Sequence, residues 1–154
     1  MKKLLGLLFS LVFINAIFCF AFASYNPSDM VLASSGFVNQ YDEYGRKTGS
    51  YRQTGSGYNS YDEYGRKTGS YRQTGNGYNS YDEYGRKTGS FRTSGSTTVQ
   101  YDKYGSKVGT YRTNSSGVTT SYDEYGRKTG SYKTDSSGRT VQYDRYGRKV
   151  GSYR

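Results

Sequence analysis

The chain has 154 residues, of which 32% are hydrophobic and 18% aromatic, with 20 Tyr, 21 Gly and a net charge of +10. There is no His and only one Cys, which excludes the common nucleophile–base pairs and the nitrogen- and sulfur-rich metal sites. The length allows one domain at most.

Residues 1–23 read as a secretory signal peptide. Met1-Lys2-Lys3 is a short basic start, Leu4 to Phe22 is almost wholly apolar, and Ala21-Phe22-Ala23 offers small residues at the two positions a signal peptidase reads. An uncleaved anchor is the alternative, because the apolar run is near the lower limit for a membrane span. Cys19 follows Phe18 and lacks the small preceding residue of a lipoprotein site, so it is expected to leave with the leader. The expected location is secreted or cell-surface, a periplasmic one included. Membrane contact is expected only through the leader during export.

Cleavage would remove Lys2, Lys3 and the single Cys, leaving a chain of net charge +8 with no disulfide. Its aliphatic side chains are seven Val, Leu32, Met30 and Ala33, against 20 Tyr and the two Phe at 37 and 91. Such a chain can only fold around Tyr. Residues 24–40 show no repeat. Within them, Gly36-Phe37-Val38-Asn39-Gln40 is expected to act as a partial cap, supplying a return strand before Tyr41.

Residues 41–154 hold six tandem units, starting at Tyr41, Tyr61, Tyr81, Tyr101, Tyr122 and Tyr143, with a period of 20 and then 21. A fixed period of this size marks a repeat architecture in which neighbours share a core. In each unit Asp42-Glu43-Tyr44-Gly45 and its copies fit a type I turn, Asp accepting from nearby backbone N–H groups and Gly following where φ is positive. Lys47 to Gln53 suits an exposed strand, and Gly49 within it marks a bulge. A second turn follows, as Thr54-Gly55-Ser56-Gly57 early in the chain and as Asn114-Ser115-Ser116-Gly117 and Asp135-Ser136-Ser137-Gly138 later. A short return strand closes the unit. In Val141-Gln142-Tyr143, Val141 and Tyr143 face one side and Gln142 the other. The expected fold is all-β: a repetitive antiparallel β-hairpin or meander array, as a β-solenoid or spiral sheet. The Tyr41 and Tyr51 equivalents are expected in the core and the Tyr44 equivalents at the surface.

The motif Tyr-Asp-x-x-Gly-Arg at Tyr41, and again at 61, 81, 122 and 143, resembles the YD repeats, also called Rhs repeats. The likeness covers 41–154 and is strongest across 134–148, which carries two Asp-x-x-Gly-Arg turns nine residues apart. It departs at Ser106, where Arg is expected, and in the first three spacers, which lack the second Asp-x-x-Gly. The resemblance implies a spiralling or stacked β-hairpin fold, secretion, and surface or carbohydrate contact.

Catalysis finds little support. The adjacent carboxylates of Asp42-Glu43 point apart, whereas glycoside hydrolysis needs two facing carboxyls at about 5–10 Å. Lys103 and Arg145 also replace Glu43 in later units. No EF-hand loop or calcium nonapeptide is present, so no cofactor or metal is expected. Binding is better founded. Tyr supplies a flat apolar face with a polar tip for sugar rings, and Arg and Lys suit sulfate, phosphate or carboxylate. The candidate ligand-binding residues are Tyr44, Arg46, Lys47 and Arg52 in the first unit, and Tyr64, Arg66, Lys67 and Arg72 in the second. They continue as Tyr84, Arg86 and Lys87, then Tyr125, Arg127 and Lys128, then Tyr146, Arg148 and Lys149. The expected partner is a carbohydrate or anionic polymer at a cell surface; secretion argues against nucleic acid. The alternative is a self-assembling, functional-amyloid-like fibre subunit, since an open array would expose strand edges at both ends.

Overall fold

The computed structural model describes residues 36–154, so the leader and residues 24–35 lie outside the described residues. It comprises twelve strands: β1 Phe37–Asp42, β2 Lys47–Thr54, β3 Gly57–Asp62, β4 Lys67–Thr74, β5 Gly77–Asp82, β6 Lys87–Ser94, β7 Thr97–Asp102, β8 Lys107–Thr113, β9 Val118–Asp123, β10 Lys128–Thr134, β11 Thr140–Asp144 and β12 Lys149–Tyr153. Each strand pairs antiparallel with its sequence neighbours, and β1 pairs with β12 to close a barrel.

Closure corrects the expectation of a solenoid or spiral sheet. β12 of the sixth unit pairs with β1, which takes the place that a return strand holds beside the corresponding strands of the other units. Gln40 sits opposite Tyr153 and Asp42 opposite Gly151. Asn39 N donates to Arg154 O at 2.7 Å, and Arg154 N donates to Asn39 O at 3.0 Å. The strand edges on which the fibre reading drew are therefore paired. Closure also needs tilt. Asn59 faces Arg52 on one side and Ser70 on the other, so the repeat-equivalent Arg72 lies two residues further along.

Two turn types join the strands. At one end Asp42 Oδ1 accepts from the backbone N–H of Tyr44 (3.0 Å) and Arg46 (2.9 Å), while Gly45 N donates to Asp42 O (3.1 Å). With Gly45 at φ +80°, this is the three-residue hairpin of a type I turn closed by a left-handed glycine. At the other end the early units use two-residue loops such as Gly55-Ser56, between the paired Thr54 and Gly57. The later units insert one more residue there. Asn114 and Asp135 hold three-residue loops in the same way as Asp42. That extra residue accounts for the change in period from 20 to 21.

The interior is built of aromatic and hydroxyl side chains. Tyr51, Phe91, Tyr111, Tyr132 and Tyr153 are at most 4% exposed, and Tyr71 packs against them. The Tyr51 and Tyr71 rings lie 6.5 Å apart, tilted by 52°. Burying each such ring contributes roughly 2–3 kcal/mol. A second layer alternates large with small, as a close-packed barrel requires. Tyr58 and Tyr78 stand beside Ser60 and Ser80, whereas Thr98 and Thr140 stand beside Gln100 and Gln142. The Gln carbonyls accept from inner phenols, Tyr111 to Gln100 at 3.0 Å and Tyr153 to Gln142 at 3.1 Å.

A bulge recurs in every unit. Gln40 faces Gly49 but Tyr41 faces Lys47, leaving Thr48 as the extra residue. A Cβ on Gly49 would lie 2.6 Å from the Tyr61 carbonyl oxygen, so the backbones approach here closer than any side chain permits. The Tyr51 equivalents are core, as expected. The Tyr41 equivalents are not. Tyr61 pairs with Ser50, on the face opposite Tyr51, and lies half-buried on the outer wall over the serine.

Candidate binding surfaces

The Asp turns form one rim of the barrel, and each lifts a tyrosine into solvent. Tyr44, Tyr64, Tyr84, Tyr104 and Tyr125 are 75–81% exposed and Tyr146 is 69% exposed. Arg46 lies across Tyr44, its Cζ 5.2 Å from the ring centroid, and its Nε donates to Asp42 Oδ2 at 2.7 Å. The same Arg–Asp bond recurs for Arg66, Arg86, Arg127 and Arg148. Desolvation pushes the Asp42 carboxyl up. The hydrogen bonds from the Arg46 backbone and guanidinium outweigh it and hold the group below its ordinary value. The Tyr44, Tyr64 and Tyr125 phenols are raised by hydrogen bonds to the Glu43, Glu63 and Glu124 carboxylates beside them. The rim arginines are thus positioned by their own turn, with their charge largely offset within it.

The outer wall is different. Arg72 lies over Tyr81 at 4.8 Å, Arg92 over Tyr101 at 5.4 Å, Arg112 over Tyr122 at 5.5 Å and Arg154 over Tyr41 at 4.5 Å. Lys47 and Arg52 share the Phe37 ring, at 5.6 and 5.7 Å. The register sets Lys67 and Lys87 beside Tyr61 and Tyr81 on this same face. No acidic side chain interrupts these rows: the carboxylates of the barrel lie in or at the edges of its turns. Most of the excess positive charge therefore encircles the wall, where each guanidinium is backed by an aromatic ring.

The candidate residues divide accordingly. Tyr44, Tyr64, Tyr84, Tyr125 and Tyr146, with Arg46, Arg66, Arg86, Arg127 and Arg148, are brought together on the rim. Lys47, Lys67, Lys87, Lys128 and Lys149 begin the wall strands, and Arg52 and Arg72 lie further down it. Sequence reasoning missed Arg92, Arg112, Lys133 and Arg154, which continue the Arg52 row, as well as Tyr104 and the wall tyrosines Tyr61, Tyr81, Tyr101, Tyr122 and Tyr143. The repeat period carried the signal for the cations. Among the described residues no cluster of His, Cys, Asp or Glu is placed to hold a metal ion.

The fold and its surfaces define a closed antiparallel barrel of repeated hairpins with an aromatic, cationic exterior. No protein-family model matches the chain, and no curated protein matches it significantly. The likeness to YD repeats rests on the motif residues alone.

Proposed function

We propose that this is a secreted, non-enzymatic, YD-like repeat barrel that binds an acidic carbohydrate polymer at a cell surface. The observation that carries the reading is the outer wall, where arginines over aromatic rings recur in five of the six units, with Lys133 at the equivalent position of the fifth and no acidic side chain in the row. A guanidinium held over a ring has N–H donors to offer a carboxylate or sulfate, and an aromatic ring offers a face to sugar C–H groups. Repetition around the barrel lets a long polymer engage several weak contacts at once. The same rows argue against a lipid-facing barrel, whose outer face carries an apolar band. The fibre reading loses its physical starting point with the paired edges.

The test is chromatography of the purified protein on immobilised polygalacturonate and on neutral dextran. Retention on the acidic polymer alone, weakening steeply with salt, is expected. Replacing Arg72, Arg92 and Arg112 together by Gln should shift elution to markedly lower salt. Equal retention on dextran, or none on either matrix, would sink the proposal.

A further inference from the structure

Two units depart from the others together. In the fourth and sixth, Lys103 and Arg145 stand where Glu43, Glu63, Glu83 and Glu124 stand elsewhere, and Val108 and Val150 take the bulge position of Thr48. The turns at 42–46, 62–66, 82–86 and 123–127 each set one Asp and one Glu against one Arg. The turn at 102–106 balances Asp102 with Lys103, and that at 144–148 sets Asp144 against Arg145 and Arg148. The rim is thus anionic over most of its circumference and turns positive at the sixth unit.

The geometry there changes as well. Arg145 lies over the Tyr146 ring at 4.6 Å and Arg148 at 5.5 Å, and the Arg145 guanidinium donates to the Tyr146 hydroxyl. Lys103 sits over Tyr104 at 4.8 Å. Beside Tyr146 opens a cleft of about 320 Å³, within the range of small-ligand sites. Tyr143, Tyr146 and Val150 give it an apolar side, and Gln142, Thr129 and Arg145 a polar one. Asp144 also lines it, but Oδ2 is held by Arg148 Nε at 2.7 Å and Oδ1 by two backbone N–H groups. Gln142, which also lines the cleft, accepts from the Tyr153 hydroxyl through Oε1 at 3.1 Å.

We infer that this cleft is a specific subsite for one acidic sugar residue, with the ring against the apolar side formed by Tyr143, Tyr146 and Val150 and its carboxylate or sulfate on Arg145. The inference rests on the polymer reading above and locates the point on the barrel where the chain is recognised rather than merely attracted. Bidentate Arg recognition and aromatic stacking supply the orientation that the repeated wall contacts lack.

The experiment borrows turns already present in the protein, so folding is not at risk. Arg145→Glu gives the sixth unit the acidic turn of the first, second, third and fifth. A second variant adds Glu83→Arg, which gives the third unit the turn sequence of the sixth and returns the net charge to its starting value. Calorimetric titration with trigalacturonate is expected to show a loss of about tenfold or more in the first variant, not recovered in the second. Recovery of full affinity in the second variant would overturn the subsite, since net charge alone would then explain binding. Unchanged affinity in the first variant would overturn it too. Failure of the unaltered protein to bind both trigalacturonate and the polygalacturonate column would instead defeat the polymer reading itself. Equal affinity of the unaltered protein for a short single-stranded DNA would also overturn the subsite, as a generic polyanion contact.

Discussion

The Tyr111 hydroxyl donates to Gln100 Oε1 at 3.0 Å, while the repeat-equivalent Tyr132 hydroxyl is buried with no hydrogen-bond partner. The difference is one residue. The position of Gln100 is taken in the next unit by Ser121, whose side chain is too short to reach the phenol and instead accepts from Thr129 at 2.9 Å. Opposite signs are therefore expected from the same substitution. Tyr132→Phe removes an unpaired polar atom and should be neutral or stabilising by about 1 kcal/mol, whereas Tyr111→Phe strands the Gln100 carbonyl and should cost about 1–2 kcal/mol. Ser121→Gln with Thr129→Val copies the Gln–Val pairing of the fourth and sixth units and should raise stability. Urea unfolding of the four proteins checks all three expectations; destabilisation by Tyr132→Phe comparable to that of Tyr111→Phe would contradict the argument.

The repeat, the all-β class and the Asp turns were legible in the sequence because each rests on local chemistry. An Asp that can accept two backbone N–H groups, followed by Gly, announces its turn without reference to the rest of the chain. The assignment of Tyr41 to the core failed for a reason equally local but harder to read. Tyr41 faces Lys47, and four residues of regular strand would put Tyr51 on the same side. The bulge at Thr48 inverts that alternation and sends Tyr51 inward while Tyr41 stays outside. Closure was not legible at all, because it depends on pairing between residues over one hundred positions apart and on the cumulative tilt of the whole sheet. On the candidate surfaces the rim was visible from the turn motif. The wall rows became visible only once the inner and outer faces were separated.

The turn aspartates set an acid limit. Asp42, Asp62, Asp82, Asp123, Asp135 and Asp144 all lie below the ordinary 3.8 in the folded protein. The unfolded chain therefore takes up protons first. This contribution to stability is complete above about pH 5 and is lost as pH falls through 3.8 and below. Asn114 shows that an amide holds the same turn geometry. Replacing the six aspartates by Asn should preserve the β-sheet circular dichroism at neutral pH and flatten the acid limb of the stability profile. An unchanged acid limb would assign it to other carboxylates.

The inner tyrosines set an alkaline limit of the opposite sense. Burial pushes the phenols of Tyr51, Tyr58, Tyr132 and Tyr153 above the ordinary 10.0. The folded protein then keeps protons that the unfolded chain releases, so stability is fully present below pH 10 and falls as pH rises beyond it. Ultraviolet absorbance should show these phenols ionising in one cooperative step that coincides with loss of the β-sheet signal. Complete phenolate formation with the sheet intact would place these rings in contact with water.

The seam between β1 and β12 is the point where the barrel can be opened selectively. Asn39 N donates across it to Arg154 O at 2.7 Å, and the turn from β1 to β2 lies elsewhere, at 43–46. Asn39→Pro removes that donor on the β12 side, while the units built from β2 to β12 retain their own pairing. An opened barrel would expose one edge of β12 and the inner tyrosines beside it, which is the condition for pairing with other chains. The substituted protein should therefore lose thermal stability and gain thioflavin fluorescence with a concentration-dependent lag, whereas the unaltered protein stays monomeric in sedimentation. If the unaltered protein forms fibres as readily as Asn39→Pro, barrel closure does not protect the edges, and assembly proceeds by a route that leaves the seam intact.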